Sequence, residues 1–246
     1  MNGIFQAAQG VIELVRPRRS LLHRSNAYRE KIIAANVTQI IVVVAVEPTF
    51  NDELLARCLV AAFDQKLAVL IVLNKCDLLE GAVAARERLK SYSNIGYRVL
   101  ELSAKQDASR LRPFLTGHSS VLVGQSGMGK STLINALLPD AQAVTREISS
   151  ALNSGKHTTT HARLYHLDDS SSLIDCPGVQ AFGLHHLSFG GIEQGFVEFA
   201  PYLGQCRFHD CHHLHEPGCA LRCAVEAGKI DTRRLELFQT VTAELH

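Results

Sequence analysis

The chain has 246 residues, 46% of them hydrophobic, and a formal net charge of only +1. That length suits one large domain or a domain with a small appendage, and the apolar fraction supports a real core. The near-neutral balance excludes a uniformly basic nucleic-acid binder, so any such contact must come from local patches; no apolar run reaches the ~20 residues a membrane helix needs. The N-terminus, Met1-Asn2-Gly3-Ile4-Phe5-Gln6, lacks the basic-then-apolar pattern of a signal peptide. The expectation is a cytoplasmic protein with no membrane segment.

Residues 10–24 alternate apolar with charged side chains and predict one or two strands. They carry Arg16, Arg18, Arg19 and Arg24, a run that fits a solvated edge strand or an RNA-facing patch. Residues 39–46 form a continuous, mostly β-branched run, as in a strand buried on both faces of a parallel sheet. Asn51 is placed to cap the next helix, which shows Leu54, Leu55, Cys58, Leu59 and Ala62 on one face. A second strand covers 68–73, a helix about 83–92, and a third strand 97–102. Strand alternating with helix predicts a doubly wound, mostly parallel α/β sheet.

Two of these strands end in polar signals, where ligands gather in open α/β sheets. The first runs into Asn74-Lys75-Cys76-Asp77. A carboxylate at Asp77 matches guanine, accepting from N1–H and the exocyclic amine. Adenine offers neither donor at those positions, and the carboxylate would be left unpaired. Asn74 would brace the loop and the stem of Lys75 would lie across the base. The other strand ends in Ser103-Ala104-Lys105, where the Ala104 N–H is placed to meet guanine O6.

Further along, the apolar run Val121-Leu122-Val123 enters Gly124-Gln125-Ser126-Gly127-Met128-Gly129-Lys130-Ser131-Thr132, and residues 133–138 continue as a helix. Gly-x-x-x-x-Gly-Lys-Ser between a strand and a helix is the phosphate-binding P-loop in its required context. Glycines let several backbone N–H groups face one anion, and the helix N-terminus adds partial positive charge. Lys130 supplies a full charge toward the β- and γ-phosphates, and Ser131 is the expected Mg²⁺ ligand. Residues 151–160 are polar; Thr159, flanked by Thr158 and Thr160, is the candidate second protein ligand to Mg²⁺. A strand at 162–165 comes next. Asp175, ending a strand before Cys176-Pro177-Gly178, would hold a Mg²⁺-bound water, and the Gly178 N–H would sense the γ-phosphate. Where many GTPases keep a water-orienting glutamine, just after Gly178, the chain has Val179; slow intrinsic turnover is expected, with Gln180 one position away.

Of seven cysteines, four lie between Cys206 and Cys223, and in a reducing compartment that crowding favours metal over disulfides. Cys206, Cys211, His213 and Cys219, spaced Cys-x₄-Cys-x-His-x₅-Cys, can close a structural Zn²⁺ site; Cys223, His209, His212 and His215 are rival ligands. Helices are expected around 220–227 and 232–245. A guanine nucleotide switch is thus the leading reading. A P-loop ATPase or kinase, and a non-hydrolysing RNA-binding zinc module, are the alternatives.

The motif order is unusual: the guanine-reading loops precede the P-loop, and the Asp-x-Pro-Gly element comes after it. This order, joined to the Cys/His cluster and to Gly195-Phe196-Val197-Glu198-Phe199, resembles the bacterial small-ribosomal-subunit-dependent GTPase A (RsgA) family from about residue 10 to 234. The resemblance implies a circularly permuted P-loop GTPase domain at residues 31–190 and a helical zinc-binding domain at 191–246. Residues 1–30 then hold a remnant of an N-terminal oligonucleotide-binding barrel, of which only the final strand, about 10–24, has a counterpart. It further implies GTP hydrolysis to GDP and phosphate, stimulated by the 30S subunit during its late maturation, with 16S rRNA contact, Mg²⁺, one structural Zn²⁺ and a monomeric state.

Overall fold

In a computed structural model, Leu14 and residues 17–26, 29–138, 162–176 and 183–245 are described. The first described strands, β1 (Leu21–Asn26) and β2 (Arg29–Ala35), form an antiparallel hairpin. Of the one or two strands expected within residues 10–24, β1 accounts for 21–24 and its partner lies beyond that run; residues 10–13, 15 and 16 are outside the described residues. Ahead of β1, Arg19 N donates to Asn36 Oδ1 (2.9 Å), Ser20 Oγ donates to Val37 O (2.7 Å) and Ser20 O accepts from Asn36 N (2.9 Å). The expected boundary between residues 30 and 31 falls inside β2.

A six-stranded sheet makes the body, in the order β5-β4-β3-β6-β8-β7. Its strands are β3 (Gln39–Ala45), β4 (Ala68–Asn74), β5 (Arg98–Glu101), β6 (Ser119–Val123), β7 (Arg163–His166) and β8 (Ser172–Asp175). All neighbours are parallel except the edge strand β7. β3 is buried at every position, as its unbroken apolar run requires of a central strand covered on both faces. From β3 the chain moves outward through β4 and β5, then crosses back to place β6 on the other side of β3. The switch point between β3 and β6 is where such sheets open a crevice at their carboxyl ends.

Helix α1 (Asp52–Asp64) joins β3 to β4, and Asn51 Oδ1 caps it by accepting from Glu53 N (2.8 Å) and Leu54 N (3.1 Å). Its burial exceeds the single face read from the sequence: Ala56, Val60 and Ala61 are also covered. The reason is tertiary. Helices α5 (Phe189–Gly195) and α7 (Thr232–Thr242) pack over α1, and a helical turn at Val197–Tyr202 continues α5. Between them lie α2 (Leu79–Asn94), α3 (Arg112–Leu115), α4 (Lys130–Leu137) and α6 (Ala220–Glu226).

The seam between α1, α2 and the C-terminal helices is polar as well as apolar. Asp52, 5% exposed, accepts from Arg88 of α2 (2.8 Å) and from Arg233 of α7. Arg234 of α7 is paired with Glu198 (2.5 Å) and lies over the rings of Tyr92 and Phe196. Buried charges persist only when paired in this way, and removing one partner leaves a costly orphan.

Gly195 marks a close approach of α5 to α1, since a Cβ there would stand 2.9 Å from Val60 Cγ1 and 3.0 Å from Val60 Cα. Gly195→Ala should therefore destabilise the protein by about 1–3 kcal/mol through overpacking, outweighing the helix propensity it gains. Gly190→Ala in the same helix meets nothing within 4 Å and should be neutral or stabilising by up to about 1 kcal/mol. Urea unfolding midpoints of the two variants check the contrast.

Candidate nucleotide and metal sites

The phosphate loop leads from β6 directly into the switch-point crevice. Gly124 (φ 146°) passes so close to β3 that a Cβ would lie 2.2 Å from Val43 O. Gly129 (φ 90°) ends the loop in the left-handed region, and a Cβ there would lie 2.3 Å from Asn74 Nδ2. No other residue type fits either position. Helix α4 opens at Lys130, so its first N–H groups face the loop's concavity.

Lys130 is 8% exposed, and its ammonium donates to Gly124 O (2.5 Å) and Gln125 O (2.8 Å). An ammonium has three protons, so one remains for an anion in the loop. Burial lowers its pKa, with Asp175 and Cys176 acting in the opposite sense. Gln125 adds a contact the sequence did not reveal: its Oε1 accepts from Asn51 N (2.9 Å), tying the loop to the cap of α1.

Asn74 is the junction of the base-side loops. Its Nδ2 donates to Met128 O (2.9 Å) in the phosphate loop, and its Oδ1 accepts from Ala104 N (2.9 Å). Three segments far apart in sequence thus meet at one amide, 1% exposed. The Ala104 N–H, expected to face a guanine oxygen, is instead committed to Asn74, because a backbone donor this buried needs an internal partner. Lys75 (φ 63°) donates to Glu47 O (2.6 Å). Cys76 Sγ contacts Leu73 O (3.2 Å), and burial raises its thiol pKa.

Asp77 is exposed at the rim. The neighbouring Ser103 hydroxyl, then its own backbone N–H, hold its carboxyl below the usual range, with Lys105 and Lys75 adding positive field. Ser103 Oγ is buried and completes no hydrogen bond of good geometry, so it sits beside Asp77 as a donor in reserve.

Asp175 ends β8 in register with Leu122 of β6 and Arg163 of β7. It is 8% exposed, and burial raises its pKa against the pull of Lys130 and Arg163. A divalent cation close by would reverse that penalty, which is the chemistry expected of a Mg²⁺ site. Ser131 is exposed at the start of α4, and Thr132 comes directly after it. Thr158, Thr159, Thr160, Gly178, Val179 and Gln180 lie outside the described residues.

The Cys/His cluster forms in the C-terminal segment between the turn at Val197–Tyr202 and α6. Ligand atoms of Cys206, Cys211, His213 and Cys219 all lie within 4.8 Å of one another. His213 Nδ1 stands 3.6, 3.5 and 3.3 Å from the sulfurs of Cys206, Cys211 and Cys219. Tetrahedral zinc with bonds of about 2.3 Å to sulfur and 2.05 Å to nitrogen needs nitrogen–sulfur edges of about 3.5 Å. The set fits the ion. His209, His212, His215 and Cys223 are exposed and belong to no metal-compatible group among the described residues. Glu216, to which the sequence assigned no role, shapes the loop: its carboxylate accepts from the N–H groups of His212, Leu214 and His215, which holds its pKa at about 2 against desolvation.

Comparison with known proteins places this geometry. The model of the RsgA GTPase family matches residues 15–185. A protein of Nitrosospira multiformis named small ribosomal subunit biogenesis GTPase RsgA is 54% identical over 245 residues, spanning 99% of this chain and 78% of that one. A Burkholderia pseudomallei protein of the same name is 53% identical over 242 residues, spanning 97% and 77%. Among solved structures, YjeQ from Thermotoga maritima superposes with a TM-score of 0.74 at 32% identity, over 95% of this chain and 77% of that chain. YloQ, described as a circularly permuted GTPase, gives 0.69 at 25% identity, over 95% and 82%.

The site's geometry sets two outcomes. Asn74→Ala leaves the buried Ala104 N–H and Met128 C=O without their partner, at about 1–3 kcal/mol each, so the unfolding midpoint should drop even without nucleotide. Asp175→Asn should behave oppositely. A carboxylate with a raised folded pKa favours folding below its ordinary pKa, and that contribution is lost as pH rises through the raised value. At neutral pH the nucleotide-free Asn variant should therefore melt no lower than the parent, and the parent's advantage should return only in acid; thermal melts across pH 4–8 check this.

Proposed function

This chain belongs to the RsgA GTPase family, and from that premise we propose that it is a GTP-hydrolysing switch acting in late maturation of the 30S ribosomal subunit. The supporting observation is the Asn74 junction, which holds the base-side loops and the phosphate loop as walls of one crevice. Asp77 reads the guanine N1–H and 2-amino group, oriented by the Ser103 hydroxyl, while the stem of Lys75 covers the base. Loop N–H groups from Gly124 to Thr132 receive the phosphates, and the third proton of Lys130 meets the β- and γ-oxygens. Ser131 and Thr159 would hold Mg²⁺ directly and Asp175 through a bound water; the ion neutralises charge on the phosphates. Gly178 reports the γ-phosphate.

Cys206, Cys211, His213 and Cys219 would hold one structural Zn²⁺. Four protein ligands close the coordination sphere, so the ion would organise a small subdomain and take no part in hydrolysis. The relatives named for small ribosomal subunit biogenesis support the 30S particle, and with it 16S rRNA, as the partner. No helix among the described residues is long and apolar enough to cross a membrane. That is consistent with a cytoplasmic protein, which we take to be monomeric.

Val179 cannot orient a water molecule, so turnover depends on a group supplied or ordered by the partner. GTP hydrolysis by the purified chain should be slow and rise at least tenfold on adding small subunits, with ATP left untouched. Rapid turnover alone, or equal use of ATP, would overturn this reading. Asp77→Asn tests base choice separately. An amide pairs with the N1–H and O2 of xanthine but not with guanine's two donors. The variant should lose at least tenfold in GTP affinity, about 1.4 kcal/mol, and gain affinity for xanthosine triphosphate in competition binding.

A further inference from the structure

Beyond the four Cys/His groups, one carboxylate addresses the cluster from another element. Glu193 of α5 places its Oε1 2.6 Å from His213 Nε2, with His213 4% and Glu193 20% exposed in their side chains. A carboxylate only accepts hydrogen bonds, so Nε2 is the ring nitrogen that carries the proton. The lone pair is then on Nδ1, the atom that faces all three sulfurs. His213 adopts φ 61°, and its ring stacks near Phe189, the first residue of α5, at 6.2 Å and 17°. Two residues of α5 thus orient the ring, Glu193 at Nε2 and Phe189 by stacking.

We infer that Glu193 is the positioning residue of the metal site: it selects the ligating tautomer of His213 and makes ion binding one event with the docking of α5. The inference rests on the zinc reading above. An outer carboxylate on a ligating imidazole characteristically governs metal affinity by 10–100-fold. What this chain adds is the position of that carboxylate. Glu193 is two residues from Gly195, where α5 lies so close to α1 that a Cβ would stand 2.9 Å from Val60 Cγ1, and Ile192 beside it is fully buried. A ring held by the ion therefore pulls on the same helix that seats the subdomain on the nucleotide-binding body. No spacing motif could have exposed this, because Glu193 lies 20 residues from His213 and on a different element.

Zinc affinity of the full chain, measured by competition with a chromophoric chelator, tests it with the parent, Glu193→Gln and Glu193→Ala. The parent should retain one zinc per chain, Glu193→Ala should weaken zinc 10–100-fold, and Glu193→Gln, which keeps a neutral acceptor, should lose less than Glu193→Ala. With Co²⁺ in place of zinc, the parent should give the intense visible bands of tetrahedral sulfur–nitrogen coordination, and Glu193→Ala should shift or weaken them. GDP binding, at a site that includes no part of α5, checks that each variant is folded. Unchanged zinc affinity and cobalt spectrum in a folded Glu193→Ala would overturn this inference alone. A parent that takes up no zinc would overturn the zinc reading with it.

Discussion

A single buried amide holds the working parts of this protein together. Asn74 bonds the carbonyl of Met128 and the N–H of Ala104 at 2.9 Å each, so the ends of β4, β5 and β6 stand in fixed relation. The glycine before α4 has to be a glycine because that amide is there: a methyl at Gly129 would occupy the space of Asn74 Nδ2. Each contact presupposes the other, and together they set the span between the group that would read a base and the group that would meet a phosphate. Gln125 extends the same frame to the cap of α1.

This explains why a permuted chain keeps a nucleotide site. The crevice is a property of the sheet edge, at the point where strand order reverses between β3 and β6. Which strand the chain enters first does not alter which loops line that edge. Permutation does change the route of the chain beyond the last strand of the site: β8 leads toward α5, and α5 packs on α1, whose N-cap Asn51 touches the phosphate loop. The C-terminal helices are joined to the body by close packing at Gly195, by the ion pairs Arg233–Asp52 and Glu244–Arg57, and by Arg234 lying over the ring of Tyr92. A seam of that kind resists sliding, since any displacement strands a buried charge.

Much of this was legible in the residues. The buried strands announced themselves as apolar runs, and the motifs at their ends are dense enough in glycine, lysine and aspartate to name a chemistry. The Cys/His set was also readable, and burial separates its members from the exposed rivals. What escaped was tertiary in origin. The outer face of α1 reads as small residues, and only the packing of α5 makes it a core. Helix α5 itself, with three glycines in the seven residues Phe189–Gly195, has poor intrinsic propensity; it forms because Ser188 caps it and α1 requires a glycine against Val60. β2 escaped because its pairing with β1, not its pattern, makes it a strand. The Ala104 N–H was assigned to a ligand from its position at a strand end, yet its burial gave Asn74 the stronger claim. Glu193 and Glu216 act across loops, where periodicity carries no information.

The central claim is that one pocket grips phosphates at Lys130 and selects the base at Asp77. Calorimetric titration of the nucleotide-free protein with GDP, IDP and ADP tests it most directly, because the three share phosphates and differ at the base. Inosine lacks the 2-amino group and so forfeits one of the two bonds to Asp77, while adenine forfeits both. The account predicts affinity falling at least tenfold from GDP to IDP and further to ADP. Equal affinity for all three would mean that the phosphate loop acts alone, and would contradict it.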